Sequence, residues 1–331
     1  MVLEEHPMKV LFVASGNKTV GTVSAFVRSQ YDSLSREGIE MILYPIVGHG
    51  FRGYLRHYWS LRKLIRKEQP DVVHAHYSTC GYLATMASLG YKNKVVVSIL
   101  GSFPKENRKC KIVRFFVDHI WDSTIVKSER TRRQLGRNVQ VIPNGVNIEQ
   151  FQIIGQDNAR DIVGFDEKKK YVIFVSNPDR PEKNYLLAEK AVGMLNDHSV
   201  ELFPVFNKTH DDVVAYMCAA DVLLMTSVSE GSPNVIKEAM ACNCPIVVTD
   251  VGDVHERLDG LEGCYVAKTR KEKEIAELIG KALQFGKRTN GRNALLKQEL
   301  TTEMVAKRIV EVYLAATKKS NIKALSLFGE S

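Results

Sequence analysis

The chain has 331 residues, 44% of them hydrophobic, and a formal net charge of +8. The length favours two domains over one, and the hydrophobic content is ordinary for a globular protein. No apolar run reaches the roughly 20 residues that a membrane-spanning helix needs, which excludes such a helix. The positive charge admits three kinds of anionic partner: a nucleotide, a nucleic acid or an acidic lipid.

Two further features indicate the compartment. The acidic N-terminal stretch leads directly into a strand and predicts no signal peptide. No two cysteines form a CxxC pair, so we expect buried free thiols in a reducing cytoplasm and no metal site. The cysteines are Cys80, Cys110, Cys218, Cys242, Cys244 and Cys264.

The N-terminal half begins with a strand, a glycine turn and a helix. Met8–Ala14 is the predicted strand, and the polar turn Ser15–Gly21 carries Gly16 and Gly21 before a helix over Thr22–Arg36. The turn lacks the Lys-Ser/Thr of a P-loop, so a tight connection between strand and helix explains it as well as a phosphate site does.

The most basic part of the chain, residues 49–69, alternates Arg, Lys and His with large apolar side chains. Such a pattern is typical of a helix that lies on an anionic membrane surface. It equally fits a surface helix whose apolar side packs on the sheet. No nucleic-acid-binding motif accompanies the charge, so we expect no nucleic-acid partner.

A strand over Pro70–His76 ends in two histidines that share one face, His74 and His76. We expect His74 to be a core histidine whose hydrogen bonds are satisfied. His76 lies nearer the carboxyl end of the strand, where open α/β sheets bind ligands, and is the candidate site residue.

The second half follows a charged, aperiodic segment, Gly155–Lys170, that we interpret as a linker. A strand over Tyr171–Ser176 leads into a loop with Arg180 and Lys183. An Arg and a Lys beyond the end of a strand suit a diphosphate clamp. A pair of solvated charges is the alternative.

The most informative stretch is Asp221–Asp253, where a short buried strand is followed by a polar turn, a helix and another strand. We expect Ser232 to cap the helix and Pro233 to occupy its first position. Backbone N–H groups at the helix start would face outward, and the partial positive charge there attracts a phosphate. The residues expected to bind a phosphate here are Gly231, Ser232, Asn234 and Val235.

Two carboxylates flank this turn, Glu230 just before the helix and Glu238 within it. Carboxylates repel a phosphate, but they accept hydrogen bonds from hydroxyl groups. A diphosphate at the helix start, with hydroxylated rings on either side, describes a nucleotide sugar. An ordinary crossover helix with a solvated Glu238 is the alternative.

The run SEGSPNVIKEAMACNCPIVVTDVGD, which starts at Ser229, resembles the donor-site signature of the family 4 glycosyltransferases. The runs DVVHAH at 71–76 and PNGVN at 143–147 also resemble segments of that family. The resemblance implies that Glu230 contacts hydroxyls of the donor sugar and that Glu238 contacts the ribose.

The same resemblance implies further roles. His76 would approach the donor sugar, the turn with Gly16 and Gly21 would lie near the diphosphate, and Lys183 would bind that diphosphate. Arg180 is offset from the arginine of the family's Gly-Arg pair. The residues that depart from the family pattern are Asn177 and Pro178 at the Gly-Arg positions, and Leu100 and Phe103 where polar residues are common.

The fold implied is α/β of the GT-B type, with two doubly wound Rossmann-like domains facing across a cleft. Residues 1–155 would form the acceptor-side domain, with a C-terminal helix over 303–331 packing back on it. Residues 165–302 would form the donor domain. Alternating strands and helices in both halves agree with two doubly wound sheets.

The activity implied is retaining transfer of a sugar from a UDP- or GDP-linked donor to a glycan or lipid-linked acceptor in envelope polysaccharide or glycolipid synthesis. We expect a cytoplasmic enzyme, with peripheral membrane association through 49–69 as an open alternative, and no metal or other cofactor. A nucleotide-sugar epimerase or hydrolase on the same fold remains a second hypothesis, and a non-catalytic nucleotide-sugar-binding module a third. The catalytic candidates are His76, Arg180, Lys183 and Glu230.

Overall fold

The computed structural model describes residues 7–17, 21–101, 108–136 and 138–327. The chain divides into two compact units. The first extends to Asn144 and includes the C-terminal helix from Thr302, and the second is Gly145–Thr301. Part of the predicted glycine turn, residues 18–20, and the family position Phe103 lie outside the described residues.

The first unit is built on a parallel sheet of six strands. The strands are β1 (Lys9–Ser15), β2 (Glu40–Ile46), β3 (Val72–His76), β4 (Lys94–Ile99), β5 (Ser123–Val126) and β6 (Gln140–Val141). They lie in the order β2-β1-β3-β4-β5-β6. Continuous apolar strands are expected in such a sheet because helices cover both of its faces.

Helices pack on both faces of this sheet. They are α1 (Ala25–Arg36), α2 (Gly50–Leu55), α3 (Tyr58–Glu68), α4 (Ser78–Ser88), α5 (Arg108–His119), α6 (Glu129–Leu135) and, at the C-terminus, α14 (Thr302–Leu327). Val10 and Phe12 of β1 face α1 and α14, whereas Leu11 and Val13 face α3 to α6. This alternation follows from the two-residue period of a strand.

One sequence-based expectation for the first unit, a single helix over residues 49–69, needs correction. The basic segment 49–69 forms two helices, α2 and α3, separated by Arg56 and His57. The C-terminal helix expected over 303–331 is present as α14, which the structure describes from Thr302 to Leu327. No helix within the described ranges is long and apolar enough to cross a membrane.

The second unit has a parallel sheet of five strands. They are β7 (Lys170–Phe174), β8 (Val200–Pro204), β9 (Val222–Met225), β10 (Ile246–Thr249) and β11 (Cys264–Ala267). The order is β11-β10-β9-β7-β8, so β9 and β7 are neighbours at the centre. The two ends of the unit meet, since the Val146 N–H donates to the Leu300 carbonyl at 2.9 Å.

Helices cover this sheet on both faces as well. They are α7 (Gln156–Val163), α8 (Tyr185–Gly193), α9 (His210–Ala219), α10 (Asn234–Ala241), α11 (Val254–Leu258), α12 (Glu272–Phe285) and α13 (Gly291–Lys297). The predicted linker Gly155–Lys170 is therefore wrong in part, because it contains α7. Ala159 of α7 is buried, and the guanidinium of Arg160 lies 2.9 Å from the Asp221 carboxylate. This ion pair gives the Arg160 charge, within the segment predicted to be a linker, a buried partner.

Candidate active site

An ion pair at the carboxyl edge of the second sheet brings two predicted site residues together. Lys183 Nζ lies 2.5 Å from Glu230 Oε1, although 47 residues separate them in the chain. Lys183 ends a single 3₁₀ turn after β7, and Glu230 lies in the loop after β9. Since β7 and β9 are adjacent parallel strands, the loops that follow them share one edge of the sheet.

Further hydrogen bonds hold these two loops to each other. Thr226 Oγ1 donates to the Asn184 carbonyl at 2.8 Å, and the Val228 N–H donates to the Glu182 carbonyl at 2.9 Å. Asn184 adopts φ = 56°, a left-handed conformation that Asn tolerates better than most residues. Hydrogen bonds between the two loops therefore fix the positions of Lys183 and Glu230. The two side chains are 17% and 19% exposed, so solvent still reaches the ion pair.

The helix start differs from the sequence-based expectation. Pro233 is the N-cap residue, α10 begins at Asn234, and no side chain caps the helix. Ser232 does not cap it because its hydroxyl donates to Asp253 Oδ2 at 2.8 Å. An N-terminal turn that lacks a side-chain cap suits an anionic ligand, since the helix dipole favours negative charge there.

Glu238 lies four residues after Asn234, so the two side chains share one face of α10, and both are partly exposed. Within the described part of the chain, no hydrogen bond joins the Glu238 carboxyl to another residue. Burial raises the pKa of Glu238 to about 7, against the opposing charge of Lys237. This carboxyl can accept hydrogen bonds from hydroxyl groups of a ligand.

Arg180 lies outside the Lys183–Glu230 pair. Its guanidinium contacts Glu182, with Nε 2.9 Å from Oε1, and the Arg180 side chain is 53% exposed. In this structure Lys183 contacts Glu230 and Arg180 does not, and a role for Arg180 in a diphosphate clamp stays a prediction. The Glu182 carboxylate, two residues away, is a local partner for the Arg180 guanidinium that the sequence analysis did not consider.

In the first unit, His76 is completely buried. Its Nε2 lies 2.8 Å from Gln30 Oε1, and its Nδ1 has no partner in the described residues. Burial, with a smaller effect of the Lys127 charge, lowers the pKa of His76 to about 3. The ring is thus neutral and covered in this structure, and a contact between His76 and a donor sugar stays a prediction.

His74 has the core role expected of it. Its Nδ1 lies 2.6 Å from the Tyr313 hydroxyl, and its Nε2 lies 2.8 Å from Ser98 Oγ. The rings of His74 and His76 stack with centroids 4.5 Å apart. Burial lowers the pKa of His74 well below its usual value.

The glycine turn closes tightly after β1. The Gly16 N–H donates to the Ile46 carbonyl at 2.7 Å, and the Gly21 N–H donates to the Gly16 carbonyl at 3.0 Å. A Cβ on Gly16 would lie 2.9 Å from the Pro45 Cβ. Of the two interpretations, the described part of the turn fits a tight strand–helix connection. A role for Gly16 and Gly21 near a diphosphate stays a prediction.

The structure reveals two charged residues at this site that the sequence analysis missed. Lys237 and Asp253 are buried and both contact Ser232 Oγ. Lys237 adjoins Glu238, and Asp253 ends the run TDVGD. The sequence signal that could have indicated Lys237 is its position on the apolar side of the predicted helix, between Ile236 and Ala239.

All six cysteines are free thiols, as predicted, and the expected burial is confirmed for four of them, whereas Cys110 and Cys264 are partly exposed. Among the residues that the structure describes, no three His, Cys, Asp or Glu side chains form a group that could hold a metal ion.

Two family models match the chain. The model described as Glycosyltransferase Family 4 matches residues 21–150, and the model described as Glycosyl transferases group 1 matches residues 157–284. Together they span both units.

Curated relatives agree with these matches. TuaC of Bacillus subtilis, assigned as a glycosyltransferase of teichuronic acid biosynthesis, is 24% identical over 63% of this chain and 60% of its own. The UDP-Gal:alpha-D-GlcNAc-diphosphoundecaprenol alpha-1,3-galactosyltransferase of Escherichia coli is 25% identical over 58% of this chain and 61% of its own. The chain thus spans about three fifths of these relatives.

Solved structures share the fold over almost the whole chain. HepE from Anabaena in complex with UDP-glucose superposes with a TM-score of 0.72 at 16% identity, covering 92% of this chain and 98% of HepE. This likeness concerns the arrangement of strands and helices in both units.

Proposed function

Because this chain belongs to the family 4 glycosyltransferases and has their GT-B fold, we propose that it is a retaining enzyme that transfers a sugar from a nucleoside diphosphate sugar to an acceptor. The observation that carries the proposal is the Lys183–Glu230 ion pair beside the start of α10. One cation, one carboxylate and one uncapped helix start match the diphosphate and the sugar hydroxyls of such a donor.

The donor would replace the ion pair with contacts of its own. The diphosphate would accept hydrogen bonds from Lys183 Nζ and from the backbone at the start of α10, while Glu230 would accept hydrogen bonds from sugar hydroxyls. As the bond to the sugar breaks, negative charge grows on the leaving diphosphate. Lys183 and the helix dipole oppose that charge, so we propose that no metal ion is required.

We propose a UDP- or GDP-linked donor, because a complex of the similar fold contains UDP-glucose and because the partly exposed Glu238 carboxyl can accept hydrogen bonds from the hydroxyl groups of a ribose. A thermal-shift panel of UDP- and GDP-sugars tests this, since a ligand at about 100 times its Kd adds roughly 2.7 kcal/mol to stability. If no nucleotide sugar stabilises the protein, the proposal is wrong. Product without an acceptor would indicate an epimerase or hydrolase, and binding without turnover a non-catalytic module.

Replacing Glu238 with Ala should weaken binding of the free nucleoside diphosphate about ten- to a hundredfold. A hydrogen bond to a charged acceptor contributes roughly 1.5–3 kcal/mol. Isothermal titration would measure the affinity, and the exposed Glu277→Ala on α12 is the matched control. Equal affinities for wild type and Glu238→Ala would remove Glu238 from the nucleotide site.

We propose a lipid-linked or envelope glycan acceptor presented at a membrane surface. Two relatives support this class by name, one assigned to teichuronic acid biosynthesis and one that acts on a diphosphoundecaprenol-linked sugar. On α3, Trp59 is 73% exposed and shares a face with the exposed cations Lys63 and Arg66. An exposed aromatic among basic residues is typical of a helix that rests on an anionic surface.

The structure narrows the set of cations that can meet a membrane. Arg62 donates to the Ala87 and Leu89 carbonyls at 3.0 and 2.7 Å, so it fastens α3 to α4. Lys67 lies 3.0 Å from Glu68. Lys63 and Arg66 are therefore the residues to test, and Arg62 should stay unchanged.

The double variant Lys63→Glu, Arg66→Glu should bind anionic phosphatidylglycerol vesicles at least tenfold more weakly than wild type. Each basic residue near such a surface contributes about 1 kcal/mol, and salt screens the attraction. Flotation at low and high salt measures it, with Lys273→Glu, Lys281→Glu on α12 as the charge-matched control. A wild type that stays unbound at low salt would indicate a soluble acceptor.

A further inference from the structure

A buried chain of polar contacts lies beneath the start of α10. Lys237 Nζ donates to Ser232 Oγ at 3.0 Å, and Ser232 Oγ donates to Asp253 Oδ2 at 2.8 Å. Arg257 Nε lies 3.1 Å from the same carboxylate oxygen. Lys237 is completely buried, and Asp253 is 1% exposed. A lysine is almost never fully buried unless its charge is paired.

The buried contacts bring two cations to one carboxylate, while the other carboxylates nearby, Glu238 and Glu256, are partly exposed and exposed, respectively. Lys237 and Arg257 are two cations that face one carboxylate, Asp253, whose Oδ1 has no partner in the described residues. An excess charge in a water-poor site is costly unless an opposite charge compensates it. The charge lies directly beneath Ser232, in the turn where the donor diphosphate is proposed. A bound diphosphate would supply negative charge to balance the positive charge of Lys237 and Arg257.

The same turn is fastened to the β10–α11 connection. Gly252 has φ = 59°, and a Cβ there would lie 2.6 Å from the Gly231 carbonyl oxygen. Thr249 Oγ1 donates to the Ser227 carbonyl at 2.7 Å. Backbone contact and hydrogen bonds thus set the position of the amides that lead into α10.

We propose that Lys237 is a positioning residue for the diphosphate of the donor, acting through Ser232 Oγ on the turn 231–235 and supplying a buried positive charge beneath it. This role rests on the donor site proposed above. It adds Lys237 to Lys183 as a second source of positive charge for the diphosphate. Lys237 touches no substrate atom, since Ser232 lies between them.

If Lys237 has this role, its loss of a proton should change the affinity for a nucleoside diphosphate with pH. Burial lowers the pKa of Lys237 to about 8, Asp253 and Glu238 oppose that shift, and Arg257 adds to it. Above pH 8 the lysine loses its charge, whereas a phosphate, with a second pKa of about 6, keeps its own. Affinity for a nucleoside diphosphate should therefore fall above pH 8, by up to tenfold per pH unit. Glu238, with a pKa of about 7, titrates at lower pH.

The test compares wild type with Lys237→Met, which keeps the length of the side chain and removes its charge. Titration calorimetry uses UDP or GDP, whichever wild type binds more tightly, and the matching monophosphate. We expect the affinity gained from the second phosphate to fall about ten- to a hundredfold in Lys237→Met. The decline in affinity above pH 8 should disappear in this variant. Thermal unfolding shows whether the variant is folded.

Two outcomes separate the hypotheses. An unchanged ratio of diphosphate to monophosphate affinity, together with a wild-type affinity that is flat from pH 7 to 9.5, would overturn the role of Lys237. The wild-type pH profile decides the matter alone if the variant does not fold. A wild type that binds no nucleoside diphosphate would overturn the donor site itself, and with it this role.

Discussion

Replacing Lys183 with Ala should lower the turnover number of sugar transfer by about 10²–10³-fold while donor affinity falls much less. Removal of one group that stabilises developing negative charge costs on the order of 10²–10³ in rate. In the proposed mechanism Lys183 opposes a negative charge that grows on the diphosphate as the sugar leaves, so its contribution is larger in the transition state than in the bound donor. Steady-state kinetics with a saturating donor would measure both quantities.

The matched control for this variant is Lys169→Ala. Lys169 Nζ lies 2.8 Å from Glu201 Oε2, so the control also removes the lysine of a Lys–Glu pair. Lys169 precedes β7 and Glu201 lies near the start of β8, which places this pair at the opposite edge of the sheet. We expect normal turnover from the control.

Two results would contradict this mechanism. A Lys183→Ala enzyme with a raised KM and an unchanged kcat would show that Lys183 binds the ground state alone. Loss of wild-type activity on treatment with a chelator, with recovery on addition of Mg²⁺, would show that a metal ion supplies the positive charge instead.

Acidification from pH 7.5 to pH 5 should destabilise the protein by about 2 kcal/mol through His76 alone, with a further loss through His74. In the unfolded chain a histidine binds a proton below pH about 6.5. In the fold, burial lowers the pKa of His76 to about 3. The cost is therefore absent above pH 6.5 and grows as the pH falls towards 3, because only the unfolded state accepts the proton in that range.

The variant His76→Gln should lack this part of the pH dependence. Glutamine retains a donor for Gln30 Oε1, which His76 Nε2 contacts at 2.8 Å, and has no group that titrates. Urea unfolding between pH 5 and 7.5 would compare the two proteins, with the exposed His119→Gln on α5 as the control. Parallel profiles for wild type and His76→Gln would mean that His76 is not held neutral.

Much of the architecture follows from local patterns in the sequence. Short apolar runs such as Val222–Met225 alternate with amphipathic segments such as Asn234–Ala241, and both periods are readable without knowing any partner. The spacing between Glu230 and Glu238 is local too, since nine consecutive residues contain both. Sequence alone therefore determined two parallel α/β sheets and the family, and it led to the proposed donor site.

Tertiary structure decided which charged groups contact each other near the proposed site, because the partners of a charged side chain are often distant in the sequence. Lys183 meets Glu230 only because β7 and β9 are neighbours, whereas Arg180 finds Glu182 two residues away. Burial is likewise a property of the packed fold. Lys237, on a helix with an otherwise ordinary apolar face, is buried against Ser232, and His76, at a strand end where a ligand was expected, lies under Gln30.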